Sequence, residues 1–144
     1  MHAPKVTAAA FAPCVGAVPE MVQPAAERAT ATDIQRLEGL LSEMKQSMNR
    51  DAIWVDIELE FHGSIARATQ NPVIMRIVPV IVEAIVKTLR YAPRTAKDHH
   101  PAFREHSAIL AAIREKNPEM AFRAMRKHMD ASYRRTVTIG SSKP

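Results

Sequence analysis

This 144-residue chain contains a single cysteine, Cys14, and only four glycines. One thiol excludes an internal disulfide and a cysteine-rich zinc site, and it fits a reducing cytoplasm. With so few glycines there is no Gly-rich loop to hold a substrate backbone. No segment alternates polar and apolar residues for long, so strands are not predicted, and no repeat of fixed length is present. A membrane span is missing as well. The longest apolar segment, residues 73–89, carries Arg76, Glu83 and Lys87 with Pro79 near its middle, which reads as a buried helix with a kink. The opening twenty residues, MHAPKVTAAAFAPCVGAVPE, place one lysine ahead of an apolar run broken by Pro13 and Pro19, unlike a cleaved signal. They show no helical period, so residues 1–20 are expected to be a disordered N-terminal segment, and the protein is expected to be cytoplasmic.

What is present describes one compact domain. Hydrophobic residues make up 47% of the chain and charged residues 24%, enough to build a core around one hydrophobic centre. The net charge of +5 comes from basic residues spread along several segments. Dispersed in that way, they read as a solvated surface and not as a nucleic-acid footprint.

Helical periodicity covers most of the chain. A short helix is predicted for 20–28, interrupted by Pro24. Thr32 and Gln35 have capping-box spacing, and Ile34, Leu37, Leu41, Met44 and Met48 then mark a helix to about Ser47. Trp54, Ile57, Phe61, Ile65 and Ala68 mark the next, from about Ala52 to Thr69. Asn71-Pro72 and Asn117-Pro118 are start signals, a side-chain cap with proline in the first turn. The helix from Pro72 to about Tyr91 is apolar nearly all round, so it is expected at the centre. Residues 92–101 read as a loop, 102–115 as a helix, and 118–137 as the last helix. Residues 138–144 are expected to be a disordered tail. Short connections favour antiparallel neighbours, so the fold class is all-α, an antiparallel bundle of about five to six helices spanning residues 21–137.

The chemistry lies in the histidines. Glu58 and His62 are four apart, one turn along a shared face, close enough to grip one ion. Asp56 and Glu60 lie about 120° and 160° from His62 around the helix axis and should face solvent. His106 opens the stripe continued by Ile109, Leu110 and Ile113, and His128 follows Ala124 and Met125 by one turn. Any one of these alone reads as a satisfied core histidine. Three inward imidazoles on three helices, with a carboxylate, are retained more readily if they share a partner, because an unpaired polar ring in a core costs about 1–3 kcal/mol. That donor set suits a divalent ion such as zinc, nickel or manganese. His99 and His100 fall in the predicted loop, and His2 in the terminus; all three are expected at the surface.

The pattern Glu58-x-x-Phe61-His62, Ile65, Ala68, Asn71-Pro72, Glu105-His106, Ile109, Ala112-Ile113, Ala121, Ala124-Met125 and His128 resembles the C-terminal effector-binding domain (FCD-type) of the FadR branch of GntR-family bacterial transcription regulators. The resemblance runs from about Ala25 to Val137. It implies an all-helical antiparallel bundle, usually dimeric, that binds small carboxylic acids, with many members holding a divalent metal on an aspartate and three histidines. Carried onto this chain, the metal ligands are Glu58, His62, His106 and His128, with a glutamate in place of the usual aspartate. Regulators of this kind reach DNA through an N-terminal winged helix-turn-helix, for which residues 1–20 have no room. The expected function is therefore a ligand-sensing and dimerisation domain, without catalytic residues. The alternatives are a metal-dependent hydrolase, for which no separate general base stands at a convincing spacing, and a metal-free structural helical dimer.

Overall fold

The structure is a computed structural model that describes residues 12–89 and 94–141. Among the described residues there are seven helices and no strands: α1 (Ala12–Met21), α2 (Gln23–Arg28), α3 (Ala31–Gln46), α4 (Asp51–Ala68), α5 (Pro72–Leu89), α6 (Ala96–Arg114) and α7 (Pro118–Ser141). The fold is all-α. Six helices form a closed ring in the order α1, α7, α6, α3, α4, α5 and back to α1, while the short α2 crosses inside it against α7, α4 and α6. Ala25 and Ala26 of α2 are wholly buried, since only small side chains let a helix run so close to three others.

The expected stripes face the core. Leu37 and Met44 of α3, Trp54, Ile57, Phe61, Ile65 and Ala68 of α4, and Ile109, Leu110 and Ile113 of α6 form one cluster with Ala121 and Met125 of α7. Both Asn-Pro signals act as caps: Asn71 Oδ1 accepts from the Val73 amide at 2.9 Å, and Asn117 Oδ1 from the Met120 amide at 3.0 Å. Each cap follows a residue with left-handed backbone, Gln70 or Lys116, so that α4 and α6 end and their successors begin within a few residues.

Several expectations are corrected. The capping box of α3 is Thr30 with Asp33, two residues ahead of the Thr32–Gln35 pair; an aspartate does the work of the glutamate the spacing rule looks for. Thr30→Ala is expected to cost about 1 kcal/mol in a urea titration. A helix, α1, occupies 12–21, within the segment read as structureless, because Val18 and Val22 find cover in the core that no local period announces. Pro24 does not interrupt one helix but starts a second, standing in the first turn of α2. The last helix extends to Ser141 rather than 137. Residues 1–11 and 142–144 of the expected flexible ends lie outside the described residues.

The largest correction concerns α5. It is not central: its neighbours are α4 and α1, and Val73, Ile77 and Val80 are exposed. Its other side, with Val78, Val82 and Val86, packs against Val55 and Ala66 of α4. An all-round apolar helix thus has one face in the core and one at the surface. No described helix is long and apolar enough to cross a membrane.

Candidate metal centre

Three helices of the ring aim polar side chains inward at one level. α4 contributes Glu58 and His62, α6 His106 and α7 His128, with 8%, 3%, 0% and 2% of their surface exposed. One ligand atom from each lies within 4.8 Å of all the others. His62 Nε2 is 3.4 Å from His106 Nε2, and Glu58 Oε1 is 3.8 Å from the same nitrogen. The His62 and His128 rings are stacked, with centroids 5.4 Å apart and planes within 13°. Phe61 closes the floor, edge-on to His106 at 5.0 Å.

Two buried imidazoles whose Nε2 atoms stand 3.4 Å apart are a poor arrangement for charged rings. Burial holds His62 far below an ordinary histidine, at about 3, helped by the charge of His128. His106 is lowered well below its usual value by burial, then by His128 and His62. Both rings are therefore neutral and carry a lone pair, which is what a metal ligand needs. The Nδ1 atoms of His62 and His106 have no hydrogen-bond partner. The backbone of Ala102, one turn before His106, opposes the shift, the smallest of its causes.

His128 is held differently. Its Nδ1 faces Glu105 Oε1 at 2.8 Å, and Arg135 grips the same carboxylate with two guanidinium nitrogens at 2.9 and 2.7 Å. Burial alone would raise the Glu105 pKa, but the hydrogen bonds from Arg135 and His128 hold it at about 2. A carboxylate can only accept, so Nδ1 of His128 is the donor and Nε2 is left for the cluster. Glu105 was not among the sequence-expected site residues; its position directly before His106 was the available signal.

The donor set fits a divalent ion. Bonds of about 2.1–2.2 Å put ligands on opposite sides of an ion about 4.2–4.4 Å apart, so the cluster closes around one with shifts of a few tenths of an ångström. Asp56 is exposed, as expected from its angle. Glu60 sits at the surface, bonded to Arg36 and Arg67, and stands apart from the cluster.

His99 is not a surface residue. It is 1% exposed, stacks on Trp54 with centroids 4.4 Å apart, and places its nitrogens 2.8 Å from the Met48 carbonyl and 3.1 Å from Asp51. Thr95 and Asp98 form a capping box that starts α6 at Ala96, and Pro101 is absorbed within the helix. His99, Ala102, His106, Ile109 and Ile113 then share one buried stripe. His100 is exposed, and His2 lies outside the described residues.

A small cavity of about 10 Å³ adjoins the cluster, lined by His62, Ile65 and Ala66 of α4, Val18 and Met21 of α1, Val22 between α1 and α2, Ile74 and Val78 of α5, and Met125 of α7. It is apolar except for the imidazole.

The helical ring gathers three imidazoles and a carboxylate into its core. The chain belongs to the FCD domain family, whose model matches residues 19–131. Among its relatives is the HTH-type transcriptional repressor NanR of Cronobacter sakazakii, 29% identical over 115 residues that cover 78% of this chain and 44% of that protein. NanR of Salmonella newport is 29% identical over 113 residues, covering 77% of this chain and 44% of the relative. The chain thus spans less than half the length of these curated relatives. A Streptococcus agalactiae GntR structure matches with a TM-score of 0.74 and 26% identity over 88% of this chain and 57% of that one. Escherichia coli McbR/YncC shares the fold, with a TM-score of 0.76 at 15% identity, over 89% of this chain and 62% of that one. The relatives are GntR-family transcription regulators.

Proposed function

We propose that this chain is the ligand-sensing and dimerisation domain of a cytoplasmic GntR-type transcription regulator. In this reading it holds one divalent ion, zinc, nickel or manganese, on Glu58, His62, His106 and His128, and responds to a small carboxylic-acid effector. The observation that carries the reading is the convergence of four ligand atoms from three helices within 4.8 Å. A bound divalent ion supplies a positive centre with open positions for an anionic group. Contact with DNA falls to a winged helix-turn-helix domain.

The cavity beside His62, at about 10 Å³, is far smaller than the roughly 300–1,000 Å³ of ordinary ligand pockets. An effector that reaches the cluster from this side must displace α1 or α5, which close it. The equilibrium between the two arrangements is then the signal, and the effector biases it by binding one of them better.

Metal analysis tests the reading. Protein purified without a metal-affinity tag is expected to carry close to one divalent ion per chain, and a His106→Ala, His128→Ala double variant almost none. An equally stable pair of proteins, both free of metal, would favour the structural alternative. Small dicarboxylates or sugar acids are expected to raise the melting temperature of the metal-loaded protein without turnover; turnover would favour a hydrolase. Glu105→Gln removes the carboxylate charge that His128 Nδ1 and Arg135 share and is expected to weaken zinc binding by about 10–100-fold in a chelator competition.

A further inference from the structure

His99 is buried, yet both of its ring nitrogens face oxygens. Nδ1 lies 2.8 Å from the Met48 carbonyl, and Nε2 lies 3.1 Å from Asp51 Oδ1. A carbonyl only accepts, so Nδ1 carries a proton. A carboxylate also only accepts, so Nε2 carries one as well. A neutral imidazole has a single N–H and would turn a lone pair toward one of the two oxygens. Counting protons in this way makes the ring an imidazolium. Its side chain is 1% exposed, while that of Asp51 is 23% exposed, so solvent reaches the pair through the carboxylate.

The groups packed against the ring favour a positive charge on it. Met48 lies in the turn that ends α3, where unpaired carbonyls make a helix end negative. Asp51 brings a carboxylate from the first turn of α4. Asp98, the residue before His99 in α6, brings another; the backbone hydrogen bond from Thr95 first, and the charges of Arg94 and His99 last, hold it below the ordinary carboxylate range. Trp54 lies flat on the ring, with centroids 4.4 Å apart and planes within 11°, the geometry of a cation on an aromatic face. The other imidazole near Trp54 is His106, 6.4 Å from it and tilted by 55°.

We propose that His99 is a proton-operated clamp: as an imidazolium it bolts the start of α6 to the corner between α3 and α4, and loss of its proton opens that corner. This adds pH as an input distinct from the effector proposed above. His106 lies two turns further along α6, so an open clamp frees the end of the helix that carries it.

Trp54 is the single tryptophan of the chain, and an imidazolium quenches a stacked indole more strongly than a neutral imidazole does, so the emission of the full chain reads the clamp. Raising the pH from about 6 to about 9 is expected to brighten it. The rise is expected to vanish in His99→Phe, which keeps a stacked ring that cannot titrate. In Asp51→Asn it is expected to move to lower pH, because the amide sets no charge against the ring. Amide hydrogen exchange over residues 96–100, corrected for its intrinsic pH dependence, is expected to speed up across the same range. Nitrogen-15 NMR of the wild type needs no variant to fold: the His99 ring, identified by its contacts to Trp54, is expected to carry protons on both nitrogens at the acid end and on one at the alkaline end. A ring singly protonated throughout overturns the proposal and puts the other proton on Asp51. So does a flat wild-type emission, a rise of equal size in His99→Phe, which would belong to His106 and the metal cluster, or a rise with no change in exchange.

Discussion

In metal-free protein, lowering the pH from 7 to 5 is expected to remove roughly 3–4 kcal/mol of unfolding free energy through His62 and His106 alone. Both histidines are depressed in the folded state, His62 to about 3 and His106 well below 6.5, by burial first and by neighbouring imidazoles second. In the unfolded chain each takes up a proton near pH 6.5, whereas the folded core keeps both rings neutral. A depressed group contributes stability above its unfolded pKa, and that stability drains as pH falls toward the folded value. Each ring therefore loses close to 1.4 kcal/mol per pH unit once the pH is well below 6.5. Glu105, held at about 2, adds a further loss only below about pH 4.5, where the unfolded carboxylate protonates. Urea titrations of chelated protein between pH 8 and 4 check this. A flat midpoint from 7 to 5 would mean that the two rings are not buried neutral.

Trp54→Ala is expected to cost about 3–5 kcal/mol, the usual range for a large aromatic deleted from a core that collapses only partly. Trp54 is 0% exposed and stacks on His99, with its ring 6.4 Å from His106. Its removal opens a void between the start of α4 and the start of α6. The His99 ring loses its stacking surface while keeping its contacts to Met48 and Asp51. Trp54→Phe is expected to lose much less, since the indole Nε1 has no hydrogen-bond partner and phenylalanine leaves no unpaired donor. Denaturant unfolding of both variants decides it. A small cost for alanine would show that α4 and α6 close over the space.

Much of the fold was legible along the chain because an amphipathic helix writes its buried face at a period of 3.6. The stripe Trp54, Ile57, Phe61, Ile65 and Ala68 and the two Asn-Pro starts are local events, and they hold in the structure. So is the choice of Glu58 over Asp56 and Glu60, which rests on angles within a single helix. His99 was missed although it lies seven residues before His106, because Pro101 and the polar run around it resemble a loop. The box of Thr95 with Asp98 overrides that reading.

Local pattern also established that the fold is all-α and that His62, His106 and His128 lie on inward faces, since both follow from spacing within each helix. It could not establish that His62, His106 and His128 meet at one point, that Glu105 and Arg135 brace the last of them, or that α5 stands at the edge with one apolar face uncovered. Those depend on the order in which six helices close a ring around α2, which is set by contacts between residues far apart in the chain. A helix apolar on every side satisfies the interior of a bundle and the seam between two bundles equally well, and only its neighbours distinguish them.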